Sequence, residues 1–144
     1  MNWKRVSAIG LGLCASVVLV GAGFAADSER SATMKGVGRS VRPLVAMSKS
    51  GKFDQAEAQK DGNAIVGYLD HFKDLFPAGS EKQDDKALPT IWSDAAGFEQ
   101  HRMDARNAAT AIAASTDMDS FTTAFKSLGA ACGACHQKYR AKED

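Results

Sequence analysis

The chain has 144 residues, of which 24% are charged and 44% are hydrophobic, and its 18 basic residues nearly balance its 17 acidic ones. This length fits a single domain with a modest core. A net charge so close to zero does not argue for nucleic-acid binding, and it gives no strong indication of a partner's charge.

Residues 1–25 have the pattern of a secretory signal peptide. Lys4 and Arg5 precede an almost wholly apolar or small stretch, residues 6–20. Gly23-Phe24-Ala25 then places small residues at the −3 and −1 positions of a cut after Ala25. The apolar stretch is shorter than the roughly 20 residues that a membrane-spanning helix needs, so it disfavours the alternative of a membrane anchor.

Cleavage would leave a mature domain, residues 26–144, that is exported to the periplasm and has no membrane attachment. Lys4 and Arg5 leave with the signal, so the mature chain has 16 basic and 17 acidic residues and a formal net charge of −1. Cys14 leaves as well, which keeps two cysteines and provides no disulfide framework.

Four segments of the mature chain have the apolar periodicity of amphipathic helices, and no segment has the alternation typical of a strand. They are residues 27–50, residues 53–76, a third segment from about Ser93 and a fourth after Thr116. Two short links and one longer loop, residues 77–90, connect them. This pattern predicts an all-α, antiparallel (up-down-up-down) four-helix bundle.

Local signals refine these helices. Pro43 lies inside the first helix and is expected to kink or strain it. Ser93 is expected to be the N-cap of the third helix. Thr116 with Asp119 is expected to form a capping-box-like pair at the start of the fourth.

The fourth segment ends with Cys132-Gly133-Ala134-Cys135-His136, the C-x-x-C-H pattern of c-type haem attachment. Two thiols add across the two haem vinyl groups, and the adjacent histidine then ligates the iron. On a helix these three side chains share one face, because they are related by i, i+3 and i+4. The motif predicts one covalently attached haem c per chain.

Two other uses of a C-x-x-C pair fit this sequence less well. A thioredoxin-like redox pair requires a βαβ pattern around the motif, which is missing here. A zinc site requires two further ligands at short spacing, and the remaining histidines, His71 and His101, are isolated.

The sixth iron position decides whether such a haem carries electrons or binds gases, because a strong protein ligand blocks the site. The candidates are Met34, Met47, Met103, Met118, His71 and His101. In the predicted bundle the end of the fourth helix is level with the start of the first, so Met34 fits best by height. His101 is the second candidate and His71 the third. Arg30 lies one turn before Met34 and is a candidate partner for a haem propionate.

Three stretches, taken together, resemble the class II c-type cytochromes, the cytochrome c' family and its low-spin relatives. Residues 132–140, Cys-Gly-Ala-Cys-His-Gln-Lys-Tyr-Arg, resemble the family's C-terminal motif. Residues 30–38, Arg-Ser-Ala-Thr-Met-Lys-Gly-Val-Gly, resemble its first helix, and residues 91–98, Ile-Trp-Ser-Asp-Ala-Ala-Gly-Phe, resemble the entry to its third.

The resemblance implies a four-helix bundle with haem attached at Cys132 and Cys135 and His136 as the proximal ligand. It places Met34 at the distal position, where low-spin relatives use methionine as sixth ligand and high-spin members leave the iron five-coordinate. Arg140 matches the basic residue near the proximal histidine. Many members are homodimers through their first two helices, although Pro43 alters that surface here.

These observations predict a periplasmic one-electron carrier that is not an enzyme and works with redox partner proteins. The alternative is a five-coordinate cytochrome c' that binds nitric oxide or carbon monoxide for sensing or detoxification. A weaker third hypothesis is a thiol-disulfide or metal-binding module that uses Cys132 and Cys135.

Overall fold

The structure is a computed structural model that describes residues 28–82 and 86–142. The predicted signal peptide, residues 1–25, lies outside the described residues.

The described residues form four long helices and two shorter helical pieces. In chain order they are α1 (Glu29–Ser50), α2 (Gln55–Phe72), a 3-10 turn (Lys73–Leu75), α3 (Thr90–Ser93), α4 (Ala95–Ala113) and α5 (Met118–Tyr139). The helix α1 packs on α2, α2 on α4, and α4 on α5, whereas α1 and α5 have few close backbone approaches. The predicted all-α four-helix bundle is confirmed.

The core lies where the apolar stripes of the four long helices meet. Its fully buried side chains include Leu44, Ile65, Ile112, Phe121 and Leu128. Burying one such side chain stabilises the fold by about 1.5–3 kcal/mol. The helices α2 and α4 approach closely at Gly62, where a Cβ would lie 2.9 Å from the Ala109 carbonyl oxygen. A glycine is therefore required at this crossing.

The helix α2 begins two residues after and ends four residues before the predicted segment, residues 53–76, because its last turn becomes the 3-10 turn Lys73–Leu75. The N-caps of α4 and α5 each differ from the predicted ones by one residue. Asp94, and not Ser93, caps α4 by accepting a hydrogen bond from the Gly97 amide, since Ser93 still belongs to the short helix α3. Asp117 and Ser120, and not Thr116 and Asp119, form the capping box of α5. In both cases the next aspartate brings a carboxylate within reach of the third amide of the helix.

The proline in α1 does not end the helix. The helix continues through Pro43 to Ser50 and stops at Gly51, whose φ of 65° closes the last turn with a hydrogen bond to the Met47 carbonyl. The predicted stop is therefore correct, and glycine suits it because this left-handed conformation disfavours other residues.

The end of α5 is fixed by the segment that enters α3. The Leu88 amide donates to the Tyr139 carbonyl at 3.0 Å, and the Ala141 amide donates to the Lys86 carbonyl at 2.8 Å. These bonds satisfy backbone groups that the end of a helix leaves without partners. They hold the last turns of α5 against the start of α3.

A side-chain contact strengthens the same junction. The Tyr139 hydroxyl donates a 2.7 Å hydrogen bond to the Asp94 carboxylate, which also pairs with the Lys138 ammonium at 2.6 Å. The bond from Lys138 has the larger effect and the bond from Tyr139 the smaller one, and they lower the pKa of Asp94 to about 2. Gly97 leaves the required space, because a Cβ there would lie 2.6 Å from the Tyr139 hydroxyl.

We expect Asp94→Asn to lower the free energy of unfolding at neutral pH, because asparagine can cap α4 but cannot pair with Lys138 as a charge. The folded-state pKa of Asp94 lies below the value of about 3.9 for an unfolded aspartate. The charged form therefore stabilises the fold above about pH 4, and this contribution is lost as the pH falls toward about 2.

Urea unfolding of both proteins should show a difference at neutral pH that shrinks through this window. Asp104→Asn, an exposed position on the same helix, is the control and should show no such pattern. A difference between wild type and Asp94→Asn that is independent of pH would contradict the prediction.

Candidate haem-binding site

The predicted attachment residues lie in the last turns of α5. Because α5 is continuous from Met118 to Tyr139, the spacing of Cys132, Cys135 and His136 places all three on one side of the helix. Both cysteines are half-buried, and His136 is exposed. The helix thus presents two sheltered thiols and an accessible imidazole together.

The two thiols lie against different parts of the core. Cys132 packs against the main cluster, the residues that α1, α2, α4 and α5 bury at their common centre. Cys135 packs against a second cluster at the end of the bundle. We call the rings of this second cluster the aromatic cluster, which consists of Phe72, Phe76, Trp92, Phe98 and Tyr139.

The aromatic cluster is held by edge-to-face contacts. The ring centroids of Phe76 and Phe98 are 5.0 Å apart, and those of Phe98 and Tyr139 are 5.2 Å apart. Such pairs contribute about 0.5–1.5 kcal/mol each beyond the burial of their area. The rings form an apolar wall beside Cys135, as a flat apolar porphyrin requires.

The protonation states of the site suit haem attachment. Burial raises the pKa of the Cys132 thiol, and burial followed by repulsion from Cys132 raises that of Cys135 to about 11. Partial burial is the main cause that lowers the pKa of His136, and the positive charge of Arg140 lowers it further. At neutral pH the chain therefore offers two neutral thiols and a neutral imidazole, the form in which histidine ligates a metal.

The same values argue against a redox-active C-x-x-C pair, because such motifs lower the thiol pKa whereas burial here raises it. Within residues 28–82 and 86–142, no group of three or more histidine, cysteine or acidic side chains is arranged to hold a bare metal ion. The residues present thus fit a covalent haem better than a redox pair or a zinc site.

Met34 lies on α1, half-buried against the same main cluster as Cys132. Two helices with few close backbone approaches thus direct a methionine and an attachment cysteine to one apolar region. The predicted distal residue and one predicted attachment residue therefore border the same apolar cluster.

The two histidines proposed as alternative ligands have other neighbours. The His71 ring nitrogen lies 2.9 Å from a Glu29 carboxylate oxygen, and the histidine side chain is 50% exposed. His101 lies edge-on to the Tyr139 ring, with centroids 5.6 Å apart. His71 therefore belongs to the surface, and His101 extends the aromatic cluster.

The other methionines also have structural surroundings of their own. Met47 is buried in the main cluster, and Met118 packs against its edge. The Met103 sulfur accepts a 3.0 Å hydrogen bond from Arg102. Each is therefore accounted for by packing or by a polar contact, as is usual for core methionines.

Arg30 is buried, and its contacts are to the chain that follows α2. Its Nε donates to the Leu75 carbonyl at 2.8 Å, and its Nη2 donates to the Ser80 hydroxyl at 2.6 Å and the Ser80 carbonyl at 3.2 Å. The guanidinium also lies 4.3 Å from the centroid of Phe76 and 5.3 Å from that of Trp92.

These contacts shape the loop beside the aromatic cluster. The Pro77 carbonyl completes the arrangement by accepting hydrogen bonds from the Trp92 indole at 3.1 Å and from the Ser80 hydroxyl at 2.7 Å. Arg30 thus connects the start of α1 to two rings of the cluster. Its propionate contact remains a prediction, and the loop contacts are a role that the sequence did not indicate.

Two other residues that shape the site escaped the sequence reasoning. Asp94, the residue after the predicted N-cap Ser93, accepts a hydrogen bond from Tyr139 and pairs with Lys138. Arg102 is buried and connects α4 to α2 by donating to Glu99 on its own helix and to the Leu69 carbonyl. The only sequence signal for the Glu99–Arg102 ion pair is the i, i+3 spacing of these two residues.

We expect Arg30→Lys to lower the free energy of unfolding by about 2 kcal/mol, because lysine keeps the charge but cannot bond Leu75 and Ser80 together. Hydrogen exchange should accelerate at the amides of residues 73–82. Arg39→Lys, an exposed position on the same helix, is the matched control. Unchanged exchange in the loop would show that Arg30 does not hold it.

Comparisons with known proteins agree with this geometry. A family model described as Cytochrome C' matches residues 26–140. Cytochrome c-556 from Agrobacterium fabrum is 36% identical over 148 residues, covering 99% of both chains. Cytochrome c' from Rhodopseudomonas palustris is 36% identical over 139 residues, covering 90% of this chain and 94% of the relative.

Two solved structures share the fold. Cytochrome c' from Rhodopseudomonas palustris superposes with a TM-score of 0.72 at 36% identity, covering 80% of this chain and 94% of that one. The nitric oxide complex of a variant cytochrome c prime from Alcaligenes xylosoxidans superposes with a TM-score of 0.70 at 26% identity, covering 78% and 91%. With its bundle, its C-x-x-C-H motif in the last helix and these relatives, the chain belongs to the cytochrome c' family, whose members bind haem c covalently.

Proposed function

We propose that this chain is a one-electron carrier with one haem c, held at Cys132 and Cys135, and that it is not an enzyme. The chain contains one C-x-x-C-H motif, which supports a count of one haem. When bound, the haem supplies an iron that cycles between ferrous and ferric states. His136 is the proximal ligand, and its lowered pKa favours the neutral ring that such ligation needs.

The observation that carries the proposal is the position of Met34. It is half-buried against the cluster that also contacts Cys132, and it lies on α1, a different helix from the one that carries His136. A thioether ligand favours ferrous iron and raises the reduction potential. It also closes the sixth position to small gases, which suits a carrier.

The surrounding core contributes in two ways. The main cluster supplies Val37 and Leu128, which are both buried, and the aromatic cluster supplies a wall beside Cys135. Apolar surroundings exclude water and lower the local dielectric, which is one of the means by which a protein sets a haem potential. A rigid wall also limits reorganisation when the charge on the iron changes.

We place the mature domain, residues 26–144, in the periplasm after removal of residues 1–25. The family match begins at residue 26, which supports this boundary. Within the described residues no helix has the length and apolar character needed to span a bilayer. We further propose that its partners are redox proteins, and the homodimer implied by the resemblance stays a prediction.

The second candidate function is gas binding at an open sixth position. It is favoured by one observation, the Alcaligenes xylosoxidans relative whose structure is a nitric oxide complex. If Met34 stays in its cluster without reaching the iron, nitric oxide or carbon monoxide would take that position. The two functions differ in whether Met34 or a small gas occupies the sixth position of the iron.

We expect the purified holoprotein to have a low-spin spectrum with a methionine-to-iron band when oxidised, and to be unchanged by carbon monoxide when reduced. Met34→Leu should convert it to a high-spin protein that binds the gas, because leucine has a similar volume but no sulfur. Met47→Leu, which alters a buried methionine on the same helix, is the matched control and should leave the spectrum unchanged. A high-spin native protein that binds carbon monoxide would establish the gas-binding alternative.

The attachment chemistry predicts an intact mass equal to residues 26–144 plus one haem, with the haem retained after denaturation. Cys132→Ala with Cys135→Ala should release the haem on denaturation, because neither thioether can form. Mass spectrometry of the exported protein measures both quantities. A mass without haem would eliminate the carrier and leave the thiol module, and a mass that includes residues 1–25 would contradict cleavage.

A further inference from the structure

The outer face of α1 carries a row of cations. Lys35, Arg39, Arg42 and Lys49 are all exposed, and their spacing of four, three and seven residues places them along one side of the helix. At 1.5 Å per residue the row extends over about 21 Å. We call these four residues the α1 stripe.

The overall charge balance conceals this row. Residues 29–50 contain five basic residues and one acidic residue, Glu29, at the very start of the helix. Residues 51–144 contain eleven basic and fifteen acidic residues. The helix α1 is therefore net positive by four charges, and the rest of the mature domain, which also includes Asp27, is net negative by five. Since Arg30 is buried, the α1 stripe contains all the basic residues of α1 that face solvent.

The stripe lies on the helix that carries Met34. The stripe and Met34 belong to different sides of α1, so a molecule on the stripe is about one helix width, roughly 10 Å, from the main cluster. Gly38, one turn after Met34, has open space where a Cβ would be. The side of α1 between Met34 and the stripe is therefore not screened by a side chain at that position.

We propose that the α1 stripe is the docking surface for an acidic patch on a redox partner protein. The proposal rests on the carrier function above and names the partner's surface for that same site. Cations along one helix attract an acidic patch and orient it, which raises the association rate by about 10- to 1,000-fold at low salt. The negative remainder of the domain repels the same patch elsewhere, so it reinforces the orientation.

Other occupants fit less well. A two-fold dimer that paired α1 with α1 would place the stripe of one copy against the stripe of the other, because an isologous interface uses the same patch twice. An anionic membrane would accept the cations, but α1 lacks the exposed large apolar residues that an interfacial helix inserts. Its exposed positions outside the stripe are Glu29, Ala32, Gly38, Ala46 and Ser50.

The test is the rate at which the ferrous holoprotein loses one electron to small oxidants, measured by stopped flow over a range of ionic strength. Hexacyanoferrate(III) is an anion, and tris(phenanthroline)cobalt(III) is a cation. Docking at the stripe predicts that the hexacyanoferrate rate falls as salt is added, whereas a site governed by the net charge of −1 predicts a rise. The cobalt complex should show the opposite trend.

Arg39→Glu with Arg42→Glu should lower the low-salt hexacyanoferrate rate about tenfold and abolish or invert its salt dependence. The matched control is Lys73→Glu with Lys82→Glu, which changes the net charge equally at two exposed positions outside α1 and should retain the native salt dependence. A control pair that behaves like the α1 pair, or a native rate that rises with salt, would overturn the proposal.

Two further measurements decide between occupants. The native protein could cosediment with vesicles of phosphatidylglycerol and phosphatidylcholine while the Arg39→Glu, Arg42→Glu protein does not. That result, together with a redox rate that does not fall with salt, would assign the stripe to a membrane and overturn the proposal. A dimer at low salt that the α1 pair dissociates would assign it to a second copy. Failure of the carrier function is distinguishable, because it appears as a high-spin spectrum whatever the salt dependence.

Discussion

The hydrogen bond from the Tyr139 hydroxyl to Asp94 joins two parts of the chain that are 45 residues apart, and the position of the haem motif depends on it. Asp94 caps α4, and Tyr139 follows His136 by three residues. Any movement of the last turns of α5 would break this bond and expose the buried ring. The thiols of Cys132 and Cys135 are thereby held against their two clusters.

The same constraint organises the aromatic cluster. Tyr139 packs on Phe98, Phe98 on Phe76, and Phe76 lies beneath the guanidinium of Arg30. A continuous set of contacts therefore joins the end of α5 to the start of α1, although the two helices have few close backbone approaches. The proposed haem site lies between elements that are connected mainly at this end of the bundle, and Met34 is one turn beyond Arg30.

Charge has two separate roles in this molecule. Inside the bundle, each buried cation is enclosed by acceptors or rings: Arg102 by Glu99 and the Leu69 carbonyl, and Arg30 by its loop and two rings. Outside, the four cations of the α1 stripe are exposed along one side of the helix. The first role fixes the positions of helices and loops, and the second forms the surface that we propose for docking.

The sequence by itself determined the helices, the bundle and the family, because apolar periodicity and the C-x-x-C-H spacing are local properties of the chain. It also predicted that Met34 lies on the apolar face of α1, where it packs against the main cluster. Only the tertiary structure decided that Asp94, and not Ser93, caps α4 while binding Tyr139, and that Arg30 holds a loop. Those outcomes depend on which distant groups meet, and the spacing of residues along the chain does not determine that.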